Sequence, residues 1–583
     1  MAFIHAAKLA ALLGLFSVPA VWGSYAAYEL GLYLVYGMVG QGIALCWGRA
    51  GFLPLGQALF FGIGAYLAGG ALTTFGSGWL VLLPMLVAAI LIPALLASLV
   101  GALVFERQVG SGPYFSLITL ALAMLGFQLA NSMEWLTGGF NGLSGIPDLL
   151  PGVDRFDGLY YVIVGFLGMT TFGLGYLLRT PFGQLLLAIS QNEMRLQLFG
   201  FRTGVLKACT FAVSAGVAGL AGALYAPHQG IVTPQAVGFL LSAEFVIWTA
   251  VGGRAGLAGP VLGAVAIGFL ASGLRDTLPY WEAIVALVFI GVVLQWPTGI
   301  AGMIQSGWQL WGPDSRHQPA PMRDIALPMP PRRRTPVLQF EDVTVKVGSA
   351  TILENLSVSI EPRSINCVIG PNGAGKTSAL NAMTGSLPIT SGHIRWGQRR
   401  LQGLRPYAVS ALRVGRKLQV PSIFSGMTIG QNLDIALWAN RIGLLERLTM
   451  TPYRWRTSVL SALEDRFPFL RDGFRMSGEL SVGQRQMLDF ALTVASEPEL
   501  VLLDEPCAGL SVEETGRMTE AISELIAELD ATGIVIEHDI DVVERLSDRV
   551  HVLHQGQLLA SGTMAEIRQD PHVQAVYAGG SKV

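Results

Sequence analysis

Charge is the scarcest commodity in the first half of this sequence. Among residues 1–313 there are ten Lys or Arg and ten Asp or Glu. That is about 6% charged residues, too few to build a water-exposed surface, so lipid must be the solvent of this segment. Net positive charge is missing as well: the chain carries −2 overall, which removes the electrostatic case for a nucleic-acid partner. Cysteine is sparse. Cys46, Cys209, Cys367 and Cys507 are the only four in 583 residues, and they exclude a disulfide scaffold. With 52% hydrophobic residues, a disordered chain is excluded too. The last 270 residues hold 28 basic and 30 acidic residues, about 21%, an ordinary soluble composition.

Apolar runs long enough to cross a hydrocarbon core, which takes about 20 residues, fall near 8–23, 27–47, 57–75, 79–105, 113–133, 159–178, 208–226, 239–272 (two elements) and 281–300. They predict eight to ten crossings. Lys8 before a short apolar run also fits a cleaved signal, but the many spans that follow favour a first membrane helix. The run 212–223 (AVSAGVAGLAGA) predicts a closely packed helix face. Orientation follows from the loop 179–207, where Arg179, Arg195, Arg202 and Lys207 face one acid, Glu193. Positive loops stay cytoplasmic. The segment 134–158, with Glu134, Asp148, Asp154 and Asp157 against Arg155, then lies outside. Ionisable residues within apolar spans are costly and mark solute pathways by default. Glu244 and Arg254 in SAEFVIWTAVGGR are the two candidates, with a structural or boundary role as the plain alternative.

Residues 306–336 change character. Seven prolines (313, 319, 321, 328, 330, 331 and 336) and the triplet Arg332–Arg334 predict an extended, solvated linker on the cytoplasmic side. Domains at 1–305 and 337–583 are expected on either side of it.

The soluble half opens on an alternating strand pattern, VLQFEDVTVKV. An apolar strand then leads into Gly370-Pro371-Asn372-Gly373-Ala374-Gly375-Lys376-Thr377-Ser378, which fits the phosphate-loop pattern G-x-x-x-x-G-K-[ST]. Glycines let backbone N–H groups close on phosphate, and the helix N-terminus adds a favourable dipole. Lys376 should reach the β and γ phosphates of a nucleotide, and Thr377 should ligate Mg²⁺. A second apolar strand, LVLL, ends in Asp504 and Glu505. Asp504 is placed for the metal shell and Glu505 to orient or deprotonate the attacking water. The pair points to nucleotide hydrolysis rather than binding alone.

Between these sites lies LSVGQRQ (480–486), which resembles the L-S-x-G-Q signature of the ATP-binding-cassette (ABC) ATPases. The resemblance implies that two ATPase domains pair head to tail, with Ser481, Gly483 and Gln484 serving the partner's ATP. It also picks out Gln419 in GRKLQ as the Q-loop glutamine near Mg²⁺, and His538 in IVIEHD as the switch histidine at the γ phosphate. The stretch 420–479 then resembles the helical subdomain that meets a membrane domain. Two departures stand out: Val347 replaces the aromatic residue that stacks on adenine in this family, and Ser511 replaces the D-loop aspartate.

The membrane half is similar to the permeases of the hydrophobic-amino-acid and amide uptake class of ABC importers, through WGRAGFLPLGQALFFGIGAYLAG (47–69), TGGFNGLSGIPD (137–148) and AGALYAPHQGIVTP (221–234). Segment 183–201 resembles its coupling element. The implied fold is multi-domain: an all-α polytopic membrane domain joined to an α/β P-loop ABC ATPase domain. The implied function is ATP-driven uptake across the inner membrane. The resemblance further implies a second permease and ATPase, or a second copy of the chain, and an extracytoplasmic binding protein as partners. Within the class, EFVIWTAVGGRAGLAGPVLGA (244–264), GRKLQVPSIF (415–424) and SVEET (511–515) lean toward urea or short amides, with branched-chain amino acids as the other branch. Fusion of permease and ATPase in one chain departs from the class and is common in ABC exporters, which form the alternative.

Overall fold

In the computed structural model, residues 2–106, 112–275, 277–296, 298–304, 323–326, 335–449 and 453–579 are described. Most of the linker, including Arg332–Arg334, lies outside them, as do Arg107 and Asp276. Two units divide the chain: Met1–Ser190 with Gly204–His317, and Gln191–Thr203 with Gln318–Val583.

The first unit is helical. Helix α1 runs Ala2–Ala44 and continues into a π-helical turn at Leu45–Arg49. It breaks at Gly23, whose φ is 84°. Pro19 within it lacks an N–H, so the carbonyl of Leu15 loses its helical partner; the Tyr160 hydroxyl donates to that carbonyl at 2.8 Å. This is how a span tolerates proline in lipid. There follow α2 (Gln57–Phe75), α3 (Trp79–Glu106), α4 (Pro113–Ser132), α5 (Glu134–Thr137), α6 (Asp157–Leu177), α7 (Pro181–Leu198), α8 (Thr203–Gln229), α9 (Phe239–Gly252), α10 (Ala258–Arg275) and α11 (Trp281–Gln295). Seven helices among the described residues are long and apolar enough to span a membrane, with two shorter apolar ones at Phe239–Gly252 and Ala283–Val292. The chain is thus a membrane protein by these helices.

Run 212–223 lies in α8 and is the close-packed face expected. A side chain at Gly219 would sit 2.0 Å from the Ala89 carbonyl, and one at Gly222 would sit 1.9 Å from the Phe61 carbonyl. Only hydrogen in place of Cβ lets α8 meet α2 and α3 backbone to backbone. Buried amides donate across helices: Gln41 to Thr171 and Gln57 to Ser214 at 2.7 and 2.8 Å.

The segment 179–207, expected to be a loop, is mostly helix. Its apolar residues repeat at helical spacing, so α7 forms over Pro181–Leu198, and only four residues separate it from α8. Asn192 breaks α7 with φ −154° and ψ 86°.

The second unit is α/β. Its strands are β3 (Arg323–Ala326), β4 (Leu338–Val347), β5 (Ala350–Ile360), β6 (Ile365–Ile369), β7 (Ser391–Trp396), β8 (Arg399–Arg400), β9 (Val414–Lys417), β10 (Tyr453–Arg456), β11 (Leu500–Asp504), β12 (Thr532–Ile536), β13 (Arg549–His554) and β14 (Gln557–Gly562); β1 (Leu143–Ser144) and β2 (Ile231–Val232) pair in the first unit. The main sheet has the order β14-β13-β6-β12-β11-β9, parallel except at β14. An antiparallel sheet β5-β4-β7-β8 packs beside it, and the core is shared, from Leu338 and Phe340 to Leu500, Leu502 and Ile534. Strand β11 is buried along its whole length, as a central parallel strand covered on both faces must be. Part of the proline-rich segment is structured: β3 pairs in parallel register with β10.

Candidate functional site

Four neighbouring strands, β6, β12, β11 and β9, run in the same direction, with Leu503 opposite Lys417 and Ile536 opposite both Asp504 and Val368. Their carboxyl ends therefore share one edge, where open parallel sheets bind ligands. Each end delivers one predicted motif.

After β6 the phosphate loop turns through Gly370, Gly373 and Gly375, with φ of 148°, 82° and 95°. At Gly370 a Cβ would stand 2.1 Å from the Leu553 carbonyl, so no other residue fits there. Pro371, Asn372 and Ala374 complete the turn, and a helix begins at Lys376, with Thr377 and Ser378 in its first turn. Lys376 Nζ donates to the carbonyls of Gly370 and Pro371 at 2.7 and 3.1 Å, which holds the loop around an open anion cradle. Burial lowers its pKa, against the pull of Glu505 and Asp504.

Asp504 ends β11 and is 1% exposed. Its Oδ1 accepts from the Thr377 hydroxyl at 3.4 Å, while among the described residues Oδ2 has no hydrogen-bond donor, the Arg416 guanidinium standing 4.0 Å away. Burial raises its pKa and Arg416 opposes the rise. Glu505 follows in the left-handed region, φ 45°, pinned by its N–H to the Ile536 carbonyl at 2.9 Å. That conformation turns the carboxylate out of the sheet, with Oε1 3.1 Å from His538 Nε2 beyond β12. Between them, the buried Glu537 accepts from the N–H groups of Cys507 and His538 and so fixes the two loops to each other. Gln419 lies two residues past β9 and is exposed.

Lys376, Thr377, Asp504, Glu505 and His538 thus converge within the chain. Ser481, Gly483 and Gln484 find their partners elsewhere. Ser481 caps the helix Val482–Ala495, exchanging hydrogen bonds with Gln484. A Cβ at Gly483 would lie 2.4 Å from the Glu514 carboxylate. Ser511, at the D-loop aspartate position, caps the helix Val512–Glu528 in a capping box with that same Glu514. The SVEET string is therefore a helix start in this structure, legible as S-x-x-E. Val347 is 51% exposed at the end of β4.

Sequence reasoning missed the buried charges that stand behind Asp504. Arg195, Arg416, Lys417 and Asp489 are each at most 3% exposed. The available signal was a pair of bases in the strand VGRK and an acid in the apolar helix run MLDFALTVA.

In the first unit, Glu244 on α9 is half-buried near Tyr36, whose ring stacks on Trp248 at 4.9 Å within a cluster that includes Phe61, Tyr225 and Phe245. Arg254 is exposed past the end of α9, its guanidinium 4.5 Å over the Trp47 ring.

Residues 25–294 match the family model of the permease component of the branched-chain amino acid transport system, and residues 353–508 match that of the ABC transporter. The high-affinity branched-chain amino acid transport ATP-binding protein LivG of Salmonella typhimurium is 35% identical over 251 residues, 42% of this chain and 98% of that protein. Its namesake in Escherichia coli K12 is 34% identical and BraF of Pseudomonas aeruginosa 33%, each over the same shares. A solved nucleotide-free ATP-binding cassette from an ABC transporter aligns over 42% of the chain and 98% of its own at 24% identity, with a TM-score of 0.37.

Proposed function

The chain belongs to the ABC transporter family and hydrolyses ATP in step with transport, and we propose that it is the fused permease and ATPase subunit of an importer for branched-chain amino acids. The observation that carries this reading is the presence in one chain of a branched-chain permease match and an ATPase half whose named relatives serve that transport. In this proposal residues 1–305 form the permease, 306–336 the linker and 337–583 a cytoplasmic ATPase on the inner membrane.

In the proposed mechanism, Lys376 and the N–H groups of the phosphate loop hold the β and γ phosphates of ATP. A hard divalent cation fits the donor set beside them: the Thr377 hydroxyl and Asp504, whose buried Oδ2 lacks a donor among the described residues, would hold Mg²⁺, with Gln419 nearby. The ion would neutralise charge on the phosphates. Glu505 takes the proton of the attacking water, and His538, at 3.1 Å, holds that carboxylate in place and contacts the γ phosphate. Ser481, Gly483 and Gln484 head an exposed helix N-terminus that the chain's own phosphate loop does not use, which supports a second ATPase across the site. The second permease and ATPase, or a second copy of this chain, and an extracytoplasmic binding protein complete the assembly.

A second reading, urea or a short amide, draws on Glu244. A half-buried carboxylate among tyrosines and a tryptophan suits a small donor-rich solute better than an aliphatic side chain. Uptake of radiolabelled leucine against urea in cells with and without the chain decides. Leucine uptake that survives deletion sinks the first reading, urea uptake that depends on the chain favours the second, and chain-dependent efflux turns both toward an exporter.

A further inference from the structure

Residues 191–203 are the second part of α7 and its short connection to α8, yet they belong with the ATPase unit. Asn192 interrupts α7 there, and its Oδ1 accepts the N–H of Arg195 at 2.9 Å, so a fresh helical turn starts at that point. The turn presents Arg195, which is fully buried. Its guanidinium makes an ion pair at 2.8 Å with Asp489, itself fully buried in the helix that starts at the signature. The same group donates to the backbone carbonyl of Arg416 at 2.6 Å and to the Thr493 hydroxyl at 3.0 Å.

Arg416 reaches onward from the end of β9. One nitrogen donates to Thr384 at 2.6 Å and the other to Asn381 at 2.7 Å, both at the far end of the phosphate-loop helix. Its guanidinium also faces Asp504 at 4.0 Å. Asp489 in turn accepts the N–H of Ser422 at 3.2 Å, just past Gln419. One side chain from the 191–203 segment thus fixes the backbone of the residue that stands between the phosphate-loop helix and the buried aspartate of the hydrolytic site.

A buried ion pair is weak evidence for stability, since apolar replacements of equal volume are often neutral or better. What it does supply is a unique position, because a charge left unpaired in such a place is costly. We propose that Arg195 is a positioning residue for ATP hydrolysis: through the Arg416 carbonyl and Asp489 it sets where Arg416 and Asp504 stand. This rests on the reading of Asp504 and Glu505 as hydrolytic.

The test uses the full chain with its co-purifying subunits, reconstituted in liposomes, and reads ATPase rate per ATP-binding chain. Arg195→Ala is expected to lower kcat by at least about tenfold while KM for ATP stays within about twofold, and Arg195→Lys, which keeps the charge opposite Asp489, recovers part of the loss. A purely structural role lowers the yield of folded chain and leaves the rate of each remaining chain intact. Asp489→Asn, which keeps the shape and removes the charge, serves if the alanine variant does not fold. A kcat within about twofold of the parent in the variant that folds, or a KM that rises in step with the fall in kcat, overturns the proposal. Glu505→Gln is run beside them. If it still turns over, the hydrolytic reading fails; if it is dead while Arg195→Ala is normal, only the positioning role fails.

Discussion

Replacing Glu505 by Gln isolates one chemical role at almost constant shape. The amide has the size of the carboxylate and can keep a hydrogen bond to His538, now 3.1 Å from Oε1. The left-handed backbone of residue 505 is pinned from outside the side chain, by its N–H to the Ile536 carbonyl at 2.9 Å, so it should survive. Nothing that Glu505 does holds the phosphate loop, whose conformation rests on its glycines and on Lys376 donating to Gly370 and Pro371. Proton acceptance is lost, together with a negative charge that favours the protonated Lys376. A positioned general base contributes about 10²–10⁴ in rate, or about 2.7–5.4 kcal/mol at about 1.36 kcal/mol per tenfold. The expectation is a kcat lower by that factor and an ATP affinity within about threefold of the parent. The assay is steady-state phosphate release by the reconstituted full chain, with fluorescent-nucleotide binding on the same sample. A variant that keeps more than about a tenth of the parent kcat would refute the reasoning, because it would place the base elsewhere.

Other residues of the ATPase unit give sharper or cheaper tests. Lys376→Ala should weaken ATP binding by at least about tenfold by equilibrium titration, since it removes both the phosphate contact and the donor that closes the loop. Gly370→Ala puts a Cβ 2.1 Å from an unyielding carbonyl, so beyond the lost binding it should cost about 1–3 kcal/mol and lower the unfolding temperature of the detergent-solubilised chain. His551 is buried against Asn366 and Ser561, and burial depresses its pKa to about 4. The unfolded imidazole binds its proton near pH 6.5, so the stability tied to the neutral ring is present above that and is lost as pH falls toward 4, at up to about 1.4 kcal/mol per pH unit. His551→Gln should flatten this acid limb in unfolding temperatures scanned from pH 7 to 4.5, and an unchanged slope would show that the ring does not carry it.

Much of the molecule was legible because its signals are local. The deficit of charge before residue 313 separates lipid from water as solvent, and the apolar runs at 57–75, 79–105 and 113–133 match α2, α3 and α4 to within a residue or so. The phosphate loop could be read because three glycines and a lysine must occur in a fixed order to fold it, and Asp504 and Glu505 because a wholly apolar strand that ends in two acids has few other uses. Arg195 and Asp489 failed on the same terms. Arg195 read as one of four bases on a cytoplasmic loop, which is what its composition says, and Asp489 drew no reading of its own. Their meaning lies in a distance of 2.8 Å between positions almost three hundred residues apart, and no local pattern encodes that. The interruption at Asn192 was equally silent, because asparagine is a poor helix former without being a breaker. Only the packing around it turns one skipped hydrogen bond into the start of the turn that presents Arg195. What remained hidden is therefore the part of the site that links motifs, rather than the part that forms them. That linkage, within the ATPase unit, is where substitutions at unremarkable positions should alter rate without touching ATP.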